Sequence, residues 1–95
     1  MSKKSTPTID EQIAQKREEL TQAQVTQTSA YSEYMKVMKA KSIVDEGETD
    51  KIQKLDKLMF DHFTTYQHAL EDAKKLELEL TELESQKYLE ELLSE

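Results

Sequence analysis

The chain has no cysteine, no tryptophan, one glycine and one proline in 95 residues. Without cysteine, disulfides and thiolate chemistry are excluded. No apolar run approaches the ~18–20 residues of a membrane span. The start, Met1-Ser2-Lys3-Lys4-Ser5-Thr6, lacks the apolar stretch of a signal peptide. A cytosolic (cytoplasmic) location is the expectation, with secretion by a route lacking a cleaved signal as the alternative. Apolar residues are also scarce, at 36% against roughly 45–50% in globular domains. Charged residues reach 35% against about 25%. Much surface and little core suit long, thin helices. Disorder competes, given a net charge of −7 and a mean hydropathy of −0.83. Periodic Leu, Ile, Met and aromatic residues argue against it.

The single glycine marks the one interruption, Asp45-Glu46-Gly47-Glu48-Thr49-Asp50. Helix formers with apolar residues at helical spacing lie on both sides. One break between two long helical stretches predicts an α-hairpin. The expected organisation is an arm over residues 1–7, a helix over about 8–45, a turn at 46–49 and a second helix over about 50–93. Thr8 and Glu11 have the spacing of a capping box. Gly47 suits the positive φ of a helix C′ position, and Thr49 or Asp50 suits the cap of the second helix.

Spacings alternating between three and four residues define one seam on each helix. The first reads Ile9, Ile13, Lys16, Leu20, Ala23, Gln27, Ala30, Tyr34, Val37, Lys41, Val44. The second reads Ile52, Leu55, Met59, His62, Tyr66, Ala69, Ala73, Leu76, Leu80, Leu83, broadened by Phe63 and Leu70. Paired outward from the turn, Val44 falls near Ile52, Val37 near Met59, and Ile9 near residues 84–87. The second helix then overhangs by about two turns. That overhang holds Tyr88, Leu89, Leu92 and Leu93. Charge supports this orientation, because residues 1–44 carry +2 and residues 69–95 carry −6.

Site chemistry is sparse. His62 and His68 are six residues apart and face different ways on a helix, so they cannot chelate one ion. His62 reads as a seam residue, and His68 as a surface pair with Asp72. The carboxylates flank leucines on solvated faces. No catalytic triad order, phosphate-binding loop or zinc spacing occurs. The expectation is therefore no enzyme, no cofactor and no metal. Lys36, Lys39, Lys41, Lys51, Lys54 and Lys57 gather near the turn, but neighbouring acids cancel their field, so no nucleic-acid binding is expected. Tyr31, Tyr34, Met35, Met38, Met59, Phe60, Phe63 and Tyr66 read as a local core or as an adaptable binding surface.

The fold expected is all-α: a long antiparallel two-helix hairpin, coiled-coil-like, completing a four-helix bundle by association. In length and shape it is similar to small helical-hairpin groups such as type III secretion chaperones and phage scaffolding proteins, although no motif of theirs is present. The leading functional expectation is an adaptor or chaperone-like protein that pairs helix to helix with a protein partner or with itself. Tyr88, Leu89, Leu92 and Leu93 are the first contact residues, with Met35, Met38, Phe60 and Phe63 second. The alternatives are a self-assembling scaffold or secreted assembly component without a client, and an acidic inhibitor.

Overall fold

The computed structural model describes residues 6–94 and shows the expected hairpin. Helix α1 spans Ile9–Lys41 and helix α2 spans Thr49–Leu93. They run antiparallel over a length of 72 Å. No strand occurs among the described residues. The arm expected over residues 1–7 lies largely outside them.

The start of α1 follows its local sequence. Thr8 accepts from the Glu11 backbone N–H at 3.1 Å, and the Glu11 carboxylate accepts from the Thr8 N–H at 2.8 Å. This reciprocal box satisfies two donors that a helix start otherwise leaves unpaired. Asp10 and Glu11 also place negative charge on the first turn, and Lys39 and Lys41 place positive charge on the last.

The turn differs from expectation in three ways. Helix α1 ends at Lys41, not near Asp45. Its last carbonyls are met instead by turn bonds, with the Ile43 N–H donating to Ala40 and the Val44 N–H to Lys41. Ser42 adds its hydroxyl to the Lys39 carbonyl at 2.6 Å. Ile43 and Val44 are β-branched and weak helix formers, so two in succession favour release of the helix there. Gly47 does not take a positive φ. Helix α2 is preceded by Glu48, whose side chain makes no capping bond, so neither Thr49 nor Asp50 is the cap.

The seam itself is as the spacing predicts. Every seam position on both helices is half-buried or buried. Four residues are fully buried: Ile13, Ala30, Ala69 and Ala73. Three of these are alanines, so little side-chain volume is fully enclosed along the seam. Lys16, Gln27 and Lys41 occupy seam positions and stay half-buried, their stems covering apolar surface while their heads reach water.

Candidate functional site

Cross-helix contacts fix the register. Lys41 pairs with Asp56 at 2.6 Å, Lys16 with Glu79 at 3.0 Å, Arg17 with Glu84 at 2.8 Å, and Lys87 with Asp10 at 2.7 Å. Three of these pairs set a base of α1 against an acid of α2, as the charge distribution predicts, and Lys87–Asp10 has the reverse polarity. The Glu79 carboxylate accepts a hydrogen bond from Lys16 and holds its ammonium above the usual lysine range. Asp10 does the same for Lys87.

Aromatic rings fill the turn-proximal half. Tyr31 meets Tyr66 at 5.4 Å between centroids, and Tyr34 meets Phe63 at 5.4 Å. Tyr31 with Tyr34 and Phe63 with Tyr66 complete the cluster along each helix. All four pairs are tilted, within the distance range at which rings attract. Tyr34 and Tyr66 are half-buried in the seam, while Tyr31 and Phe63 lie at its exposed edge.

The eight candidate contact residues fall into two groups, one in the turn-proximal half and one at the far end of α2. Met35 is half-buried, Met38 is at the edge of exposure, Phe63 is 37% exposed and Phe60 is 70% exposed. At the other end Tyr88, Leu89, Leu92 and Leu93 are all exposed, Tyr88 at 63% and Leu93 at 77%. The groups are roughly 40 Å apart along α2 at ~1.5 Å per residue.

The terminal group is not a continuation of the seam. Spacing carries the seam from Leu83 to Lys87 and then Glu90, both charged, and Lys87 is engaged by Asp10. Tyr88, Leu89, Leu92 and Leu93 lie around the other faces. The Asp10–Lys87 pair also shortens the overhang to residues 88–93, about one and a half turns. Two exposed apolar residues escaped the sequence reading. Val25 lies off the seam, and Ile43, expected within α1, stands in the turn at 85% exposure.

The remaining candidates stay separate. Near the turn, Lys36 pairs with Glu33, Lys41 with Asp56, and Lys51 with Glu48, so half of the lysine group is neutralised locally. His62 is half-buried in the seam, as its spacing implies. The expected His68–Asp72 pair is not formed. Both residues instead border an open groove beside Ala69, between Lys16 and Lys75. Among the described residues, no group of three or more His, Asp or Glu is placed to hold a metal ion, and no helix is long and apolar enough to cross a membrane. No family model matches the chain, and no curated protein or solved structure matches it.

Proposed function

We propose that this chain is a small non-enzymatic helical-hairpin protein, an adaptor or chaperone-like module, that binds a protein partner by helix–helix pairing. The observation that supports this reading is the set of exposed Tyr, Leu, Phe and Met side chains on a hairpin whose own seam is already closed. Such side chains are the usual anchors of helix-in-groove and coiled-coil recognition. The flanking carboxylates and lysines then set orientation more than affinity.

Affinity purification of the tagged full chain, with mass spectrometry, tests the reading against a version ending at Gln86. The expected result is a stoichiometric protein partner that the shortened chain loses. Equal partner recovery by both chains removes the terminal group from the interface. A second reading, a self-assembling structural component without a client, is favoured by the length of the exposed apolar stripe on α2. A stable homo-oligomer with no other protein attached supports it.

A further inference from the structure

Helix α2 carries a second apolar stripe beside its seam, and Phe63 at the edge of that stripe also packs against Tyr34 and Tyr66. At roughly 100° per residue, Phe60, Phe63, Leu78, Tyr88, Leu89 and Leu92 fall within an arc of about 100°. All six are exposed. The seam residues Leu76, Leu80 and Leu83 project from the opposite side of the helix, whereas nearer the turn the stripe borders the seam, with Phe63 about 40° from Met59. The stripe spans about nine turns, with Gln67, Glu71 and Lys74 between its two apolar ends, and apolar residues recurring on one face are what a helix presents to a neighbouring helix.

We infer that this stripe pairs with the same stripe of a second copy of this chain. The two α2 helices lie antiparallel about a twofold axis at the level of Leu76, completing a four-helix bundle. The inference rests on the helix-pairing function proposed above and commits that function to one occupant.

Three observations lead to this occupant and this orientation. First, the stripe is self-complementary in a single register. Leu76 is midway in sequence between Phe60 and Leu92, and also midway between Phe63 and Leu89. One antiparallel alignment therefore sets both turn-proximal rings of each copy against the terminal leucines of the other, with Leu78 of each copy flanking the axis. An isologous contact needs this reciprocity, and an unrelated helix would have to reproduce it.

Second, charge selects antiparallel over parallel pairing. Residues 77–92 hold Glu77, Glu79, Glu82, Glu84, Glu90 and Glu91 against Lys87 alone. Residues 60–75 are nearly balanced, with Asp61, Glu71 and Asp72 against Lys74 and Lys75. Parallel pairing sets the acidic segment against itself, whereas antiparallel pairing sets it against the balanced one.

Third, the area suffices. The chain exposes 7711 Å², whereas a compact chain of this mass exposes about 5,700 Å². A standard interface removes about 800 Å² from each partner, so the hairpin can lose that much and still be more exposed than a compact monomer.

The absence of cysteine makes the test direct. Light scattering of the full chain over a concentration series should show a species of about 22 kDa, twice the 11.1 kDa of one chain. Single-cysteine variants Phe60→Cys and Leu92→Cys, mixed and oxidised, should form the mixed disulfide in preference to either self-disulfide. Leu78→Glu, a change at an exposed position, should weaken dimerisation about 100-fold or more while leaving the helical circular dichroism of the hairpin unchanged. A Leu92→Cys self-disulfide dominating the mixture overturns the antiparallel register. A dimer indifferent to Leu78→Glu overturns the stripe as its interface. A monomer at every concentration overturns the second copy as occupant. In that last case helix pairing with a different protein stands or falls separately, on partner loss by the chain ending at Gln86.

Discussion

Near the turn, Tyr31, Tyr34, Phe63 and Tyr66 close the hairpin with ring centroids 5.4 to 6.2 Å apart. Near the open end, the same two helices are joined by Lys16–Glu79, Arg17–Glu84 and Asp10–Lys87 around the buried Ile13. The register is continuous between these regions, but the contacts are of different kinds. Aromatic burial is tolerant of angle and insensitive to salt, and it contributes much per residue. Exposed ion pairs contribute little to stability but are strict about which residue stands opposite which. Cohesion thus concentrates in the turn-proximal half, which Lys41–Asp56 also helps to align, and ion-pair alignment concentrates in the open half.

The largest test of that division is Tyr66→Ala. It removes the ring that touches both Tyr31 and Phe63, and a loss of about 3 kcal/mol in chemical denaturation is expected. A loss below about 1 kcal/mol would mean that cohesion does not reside there. Ala73→Leu comes next. Ala73 is 4% exposed in the seam, so added volume must push the helices apart. About 2 kcal/mol of destabilisation is expected, with amide exchange rising first in the open half.

A smaller effect, of opposite sign, is expected at the turn. Gly47 has no positive φ, and a Cβ added there meets nothing within 4 Å. Gly47→Ala should therefore raise stability by about 0.5–1 kcal/mol through a less flexible unfolded chain, measured as a higher melting temperature. The smallest effect is electrostatic. Lys16 and Lys87 are held above the usual lysine value of 10.5 by their bonds to Glu79 and Asp10. A raised value in the folded state adds stability below the unfolded value, and that stability is lost as pH rises through the folded one. The melting-temperature difference between the native chain and a Lys16→Gln, Lys87→Gln variant should thus be steady near neutrality, begin to fall near about pH 10.5 and vanish only above the raised folded-state values.

The seam was legible because burial along a helix repeats, and its period survives even where Lys16, Gln27 and Lys41 interrupt it. The Thr8–Glu11 box was legible because both partners lie within one turn. The end of α1 was not, because Val44 continues the seam spacing past the last helical residue. The chain leaves the helix at Ser42 and still returns Val44 to a half-buried place by a tight turn. Spacing alone does not distinguish a helical residue from a turn residue that folds back. Gly47 misled for a related reason: glycine permits a positive φ without requiring one. The terminal group was recognised as unpaired, but its direction was not, since only the Asp10–Lys87 pair shows the seam passing to charged residues beyond Leu83.

The short connection over residues 42–48 has a kinetic consequence. Closing so short a loop takes on the order of 10–100 ns, and every later contact adds to a neighbour already made. Such a chain zips from the turn outward, with the rings as its first sizeable gain, and opens in the reverse order. The end that bears Tyr88, Leu89, Leu92 and Leu93 is the last to close and the first to breathe.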